Sequence, residues 1–127
     1  DRRIILLDGD GSLLMNLGSL VTIAQAAPKN LVHFVCENGT YEANGGHPIP
    51  GQGKVSFAGL AREAGYRESH EFNDLNDFKS GIGAVLQQEG PVFATLKVAP
   101  GKTYPQDYGL MHGAQIRKDF LAAVKGL

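Results

Sequence analysis

"LLDGDGSLLMN", residues 6–16, carries an apolar run into an acidic, glycine-rich turn and then into a second apolar run. Ile4 to Leu7 are all aliphatic, and the turn after them holds two aspartates, Asp8 and Asp10, with one glycine between. A short continuous aliphatic run bounded by turn residues is the pattern of a strand buried on both faces. A glycine-rich acidic turn between such a strand and a helix is a place to hold a phosphate and a hard cation. Two chemistries fit the stretch, and the rest of the chain has to decide between them.

Outward from this turn, the pattern predicts a strand over residues 3–8 and a helix over 13–27 that Pro28 ends. Leu14, Leu17, Leu20, Val21 and Ala24 fall on one face of that helix. A second apolar run predicts a strand over 31–36. Residues 37–54 read as a long loop rich in glycine, and loops of that length inside compact domains are commonly functional. A helix over 56–64 follows, with Ser56 as its N-cap and Gly65 as its stop. Then come a strand over 67–72 and a helix over 74–88 capped by Asn73 or Asp74. A strand over 91–98, a loop with Pro100 and Pro105, and a helix over 113–124 complete the chain. This alternation predicts an α/β fold: a doubly wound, mostly parallel sheet with helices on both faces, residues 1–127 forming a single domain. Ligands of such sheets sit at the carboxyl ends of the strands. The turns at 8–12 and 38–41 lie at two such ends, on consecutive strands.

Composition sets the bounds. The 127 residues are 43% hydrophobic and 20% charged, ordinary for a globular domain with a real core. A net charge of −1 leaves no electrostatic footprint for nucleic acid or an anionic membrane. No apolar stretch approaches the roughly 18 residues of a membrane span. Cys36 is the one cysteine, which fits a reduced, cytoplasmic setting. Glycine is abundant, 17 of 127 residues, nearly twice the usual share of about 7%. The glycines cluster at 9–18, 39–53 and 81–90, and the first two clusters read as places where backbone approaches something closely.

The first chemistry is phosphoryl transfer. Asp8 to Ser12 satisfy D-x-D-G-[ST], the nucleophile motif of the haloacid-dehalogenase-like hydrolases, with Asp8 as nucleophile and Asp10 as general acid. That family also needs a Ser or Thr after the next core strand and late carboxylates at a strand end. Here Asn38 stands at the first position, and the strand over 91–98 runs into Ala-Pro-Gly.

The second chemistry is a thiamine diphosphate site. Gly9-Asp10-Gly11 opens a helix, and Asn38 follows after 26 residues, 12 through 37. That spacing resembles the G-D-G…N pattern of thiamine diphosphate-dependent enzymes. "GDGSLLMNLGSLVTIAQ" and "NLVHFVCENGTYEANGGHP" are similar to the diphosphate-binding domain of the phosphonopyruvate and sulfopyruvate decarboxylase group. "NGTY" also resembles benzoylformate decarboxylase, and "FAGLAREAGY" and "EGPVFATLKVAPG" fit the same domain. The resemblance spans nearly the whole chain.

The resemblance implies that thiamine diphosphate and Mg²⁺ bind here, with the side chains of Asp10 and Asn38 and the backbone carbonyl of Thr40 as metal ligands. These are hard oxygen donors of the kind Mg²⁺ takes, with diphosphate oxygens and water completing the octahedron. Gly9, Asp10, Gly11, Ser12, Asn38, Thr40 and Tyr41 then form the cofactor-binding set, the N–H groups of Gly11 and Ser12 meeting the diphosphate. Asp8 becomes structural. No catalytic residue is identified. Tyr41, Glu42 and His47 are candidates to face the reacting centre, and loop packing or solvent exposure is an equal or better reading for each. His33 reads as packed, His70 and His112 as exposed, and Cys36 as a small core residue. Asn16 and Leu17 read as seating the helix beneath the cofactor.

The resemblance also implies half an active site. The glutamate that activates the aminopyrimidine belongs to a pyrimidine-binding domain or an alpha-type subunit, so a dimer or larger oligomer is expected. Relatives carry a segment before the first strand, and the start at Asp1 reads as an N-terminal truncation. The implied reaction is decarboxylation of a small 2-oxo acid, with no activity expected of the chain alone. An acetolactate synthase-like carboligase component and a non-catalytic regulatory subunit are the other readings.

Overall fold

The sheet strands run parallel because a helical crossover carries the chain back between each and the next. The structure, a computed structural model, describes residues 2–102 and 107–126. In chain order the elements are β1 Ile4–Gly9, α1 Asp10–Met15, α2 Ser19–Ala26, β2 Leu31–Glu37, β3 Thr40–Tyr41, β4 His47–Pro48, α3 Phe57–Ala64, β5 Glu68–Phe72, α4 Leu75–Val85, β6 Val92–Lys97, α5 Tyr108–His112 and α6 Ala114–Lys125. Four strands pair in the order β1-β2-β6-β5, all parallel. Among the described residues no helix is long and apolar enough to cross a membrane.

Alternate residues of β2 feed two cores. Val35 joins Leu13, Leu20, Phe57, Ala61 and Phe93 on the face covered by α1, α2 and α3. Val32 and Phe34 join Phe72, Val85, Val92 and Ala94 on the face covered by α4. The chain thus crosses over one face as far as β5 and returns to β6 over the other. This is the expected α/β arrangement with helices on both faces.

The caps follow the sequence. Ser56 accepts from Gly59 N at 3.0 Å, and Gly65 ends α3 in the left-handed region at φ +105. Asp74 caps α4 through Asn76 N and Asp77 N. Gly81 and Gly90 are there for space: a Cβ at Gly81 meets the Phe72 ring at 2.7 Å, and one at Gly90 meets Leu31 O at 2.5 Å.

Four expectations need correction. β1, expected as a strand buried on both faces, is an edge strand whose Ile4, Ile5, Leu6 and Leu7 are exposed. The helix expected over 13–27 is two helices, separated at Asn16, whose backbone leaves the helical region at φ −141, ψ 51. Leu20 is buried and Leu14, Leu17 and Ala24 pack against the same core, as the periodicity indicates, whereas Val21 is exposed and the break lets Leu13 join the core. The loop over 37–54 contains a small antiparallel hairpin, Tyr41 opposite His47. An additional short helix, α5, precedes α6. Pro105 lies outside the described residues.

His33 is packed as expected, 1% exposed. Its Nδ1 lies 3.0 Å from the Tyr66 hydroxyl, and its ring meets the Phe93 ring edge-on at 5.1 Å. Its Nε2 stands 3.7 Å from Asp8 Oδ2, too far for a hydrogen bond, and has no partner. His70 is half-buried against Gln88 Oε1 at 2.7 Å rather than exposed, whereas His112 is exposed.

Burial lowers the His33 pKa from 6.5, with Asp8 opposing the shift. The unfolded chain therefore takes up the proton first as pH falls. This contribution to stability is complete above 6.5 and is lost progressively below it. Thermal melts between about pH 7.5 and pH 5.5 should show Tm falling with pH. In His33→Phe that slope flattens, whatever the variant's absolute Tm; an unchanged slope refutes the assignment.

Candidate functional site

β1 and β2 are parallel neighbours with Gly9 opposite Cys36. The turn that follows β1 and the loop that follows β2 therefore leave the sheet side by side. Between them lies a cleft of about 410 Å³. Gly9, Asp10, Gly11 and Ser12 line it from the first turn of α1, and Asn38, Thr40, Tyr41 and Glu42 line it from the loop. Met15 and Cys36 supply apolar surface, which makes Cys36 a wall of the cleft rather than a core residue.

Asp10 ties the two sides together. Its side chain is 1% exposed, yet both carboxylate oxygens are engaged. Oδ1 accepts from Gly11 N at 2.7 Å, and Oδ2 accepts from Gly39 N at 2.7 Å. Gly39 aims that N–H from the left-handed region, φ +75, which glycine adopts freely. Each carboxylate oxygen keeps capacity for a further contact.

Asn38 is held at both ends of its amide. Oδ1 accepts from Thr40 N at 2.8 Å and lies 3.2 Å from Thr40 Oγ1. Nδ2 donates to Glu42 Oε2 at 2.6 Å. Glu42 is thus neither a solvated loop residue nor a free carboxylate. Tyr41 lays its ring over the first turn of α1: a Cβ at Gly11 would stand 2.5 Å from Tyr41 Cδ1. Gly11 makes room for this ring, whereas a Cβ at Gly9 meets nothing within 4 Å. Ser12 is exposed at the mouth. The N–H groups that open α1 have no carbonyl one turn back to bond.

Several residues stand elsewhere. Asp8 turns away from the cleft, accepting from Gly9 N at 2.8 Å and facing His33. His47 is exposed on β4 and does not line the cleft. Asn16 is exposed in the break after α1, and Leu17 packs on the core instead. Glu37, unnoticed in the sequence, ends β2 with Oε2 buried and unpartnered. Burial raises its pKa, and Lys97 partly offsets the shift. The sequence pattern puts Glu37 at the start of the loop over 37–54, whereas β2 runs one residue further and includes it.

The donors suit a hard cation. Asp10 from one side and Asn38 and Thr40 from the other offer carboxylate, amide and hydroxyl or backbone oxygens to the cleft. Among the described residues no three His, Cys, Asp or Glu side chains gather as a metal cluster. A cation here would draw on amide and backbone oxygens, and on ligand oxygens, to fill its shell.

Comparison with known proteins agrees with this geometry. Residues 1–95 match the family model described as thiamine pyrophosphate enzyme, C-terminal TPP binding domain. The chain is 38% identical over 100 residues to a phosphonopyruvate decarboxylase of Streptomyces viridochromogenes, covering 79% of this chain and 25% of that protein. It is 38% identical over 101 residues to the sulfopyruvate decarboxylase subunit beta of Methanothermobacter thermautotrophicus, covering 80% of this chain and 51% of that one. The chain thus spans between a quarter and about half the length of these relatives. A solved structure described as a thiamin diphosphate-dependent enzyme from Mycobacterium smegmatis superposes with a TM-score of 0.64 at 25% identity, covering 80% of this chain and 19% of that chain.

The Gly11–Tyr41 contact makes a double-mutant prediction. Gly11→Ala forces a methyl group into the Tyr41 ring and should cost about 1–3 kcal/mol in denaturant unfolding. In a Tyr41→Ala background the same change should cost much less. Equal costs in both backgrounds would show that the ring is not what excludes a side chain at Gly11.

Proposed function

This chain belongs to the thiamine pyrophosphate enzymes, as their C-terminal cofactor-binding domain, and from that premise we propose that it holds the diphosphate of thiamine diphosphate through Mg²⁺. In this reading it forms half of the active site of a decarboxylase acting on a small 2-oxo acid of the phosphonopyruvate or sulfopyruvate type. The observation that carries the proposal is the buried Asp10 carboxylate, joined to Gly39 N at 2.7 Å and set beside Asn38 at the ends of β1 and β2.

Asp10, the Asn38 side chain and the Thr40 carbonyl would hold Mg²⁺, and the first turn of α1 would receive the diphosphate. When bound, the cofactor supplies an electron sink that accepts the pair released as carbon dioxide leaves. The chain's own contribution is to bind and orient. Both carboxylates that line the cleft already accept N–H bonds, so neither Asp10 nor Glu42 is a free base. Tyr41 and the apolar wall of Met15 and Cys36 limit water on one side. The group that activates the aminopyrimidine belongs, in this proposal, to a pyrimidine-binding domain or alpha-type subunit. A dimer or higher oligomer in the cytoplasm follows, and the chain alone should not decarboxylate. The beta-subunit name of the Methanothermobacter thermautotrophicus relative supports a partner of this kind.

The phosphatase reading loses its nucleophile, because Asp8 faces His33 and does not line the cleft. Product analysis of the assembled enzyme with pyruvate separates decarboxylase from carboligase, and activity surviving Asp10→Ala there would favour a scaffolding role.

Calorimetric titration of thiamine diphosphate into the chain is the direct test. Binding should require Mg²⁺, vanish with EDTA and be lost in Asp10→Ala. Equal binding with EDTA, or in Asp10→Ala, would overturn the metal assignment.

A further inference from the structure

An asparagine that ligates a cation faces an ambiguity that an aspartate does not. Its two terminal atoms are alike in shape and opposite in polarity, and only the oxygen can serve as a ligand. A free Asn amide turned the wrong way presents two hydrogens to the metal. A site built on asparagine therefore needs neighbours that decide which way the amide points.

Asn38 has two such neighbours, and both decide the same way. Thr40 N is a backbone donor, so the Asn38 atom 2.8 Å from it must be the oxygen. Glu42 Oε2 is an acceptor when ionised, so the Asn38 atom 2.6 Å from it must be the nitrogen. A flipped amide would set oxygen against carboxylate and N–H against N–H, losing both bonds. Glu42 has little freedom to leave. It is half-buried, and the segment after β6 crosses it, since a Cβ at Gly101 would collide with Glu42 Oε1. The short 3-10 turn Glu42–Asn44 that follows Tyr41 fixes its backbone.

Building on the cofactor reading above, we propose that Glu42 is a positioning residue: its carboxylate fixes the Asn38 amide so that the oxygen, not the nitrogen, is offered to Mg²⁺. Glu42 touches neither metal nor substrate in this role. Its negative charge is incidental, and its acceptor oxygen is what matters. That distinction separates positioning from simple electrostatic attraction of a cation. It also separates the two from the substrate-facing role considered for Glu42 on the sequence.

The test compares Glu42→Ala with Glu42→Gln, which removes the charge but keeps an acceptor oxygen. The first readout is the Asn38 side-chain amide in the metal-free full chain, by NMR after selective ¹⁵N-asparagine labelling, assigned with Asn38→Asp. In the unsubstituted chain one Nδ2 proton should be shifted downfield and exchange slowly. Glu42→Ala should abolish this and Glu42→Gln retain it. The second readout is the Mg²⁺ concentration that half-saturates thiamine diphosphate binding. It should rise about tenfold in Glu42→Ala, as expected for loss of a group that orients a ligand. Glu42→Gln should return most of it, with Tm alike in both variants.

An unchanged amide signal in Glu42→Ala overturns the proposal. So does a Glu42→Gln variant that needs as much Mg²⁺ as Glu42→Ala, because charge would then be the cause. Absence of Mg²⁺-dependent binding in the unsubstituted chain would instead sink the cofactor reading and the metal end of this proposal. The amide signal, read without metal, would still decide whether Glu42 holds Asn38.

Discussion

The 2.7 Å bond from Gly39 N to Asp10 Oδ2 is the interaction on which the rest of the cleft hangs. A carboxylate that is 1% exposed has lost nearly all its hydration and is costly to keep unless protein donors replace the water. One donor comes from its own turn, at Gly11, and the other has to come from across the gap between β1 and β2. The backbone N–H of Gly39, at the root of the next loop, supplies it. That requirement sets the backbone of Gly39, and Gly39 in turn sets the loop. Its carbonyl accepts from Ile49 N at 3.1 Å, and the Ile49 side chain is buried in the core beneath. The loop is thereby pinned at its first residues and again where it returns. Between the pins, the Tyr41–His47 pair lays the tyrosine ring on Gly11 and brings Glu42 to Asn38.

What the sequence made legible depended on whether a signal was local. The strands β2 and β6 are buried on both faces, so an unbroken apolar run identifies them. Ser56 and Asp74 bond backbone N–H groups two or three residues ahead, so their caps are written within a few letters. The division between α1 and α2 was hidden because leucines at helical spacing outweighed the weak breakers Asn16 and Gly18. The break is enforced from outside, by a core that takes both Leu13 and Leu20. Asp8 likewise faces His33, a neighbour from the next strand 25 residues on that no local pattern names.

The candidate site divides along the same line. Asp10 and Asn38 end adjacent parallel strands, so their proximity follows from topology once the alternation of elements is read. Glu42 was visible as a carboxylate near Asn38, but its partner was not. The bond at 2.6 Å depends on the 3-10 turn after Tyr41 and on the later segment at Gly101, 59 residues on from Glu42. Glu37 escaped notice for a related reason. A charged residue after an apolar run reads as solvated, yet Glu37 Oε2 is buried at the end of β2, opposite Lys97 of β6.

The state of the two carboxylates in the cleft bears on the division of labour in the proposed enzyme. A catalytic base needs a lone pair directed at the proton it will take, at a group whose protonation can change. Asp10 has an N–H on each oxygen, and Glu42 has an amide hydrogen on one oxygen and backbone crowding the other. Groups committed in this way are suited to presenting a fixed constellation to a cation and poorly suited to moving protons. The chemistry of bond breaking then has to come from the cofactor and from whatever closes the open side of the cleft. A rigid, fully engaged wall on this side is what such a partner would need to close against.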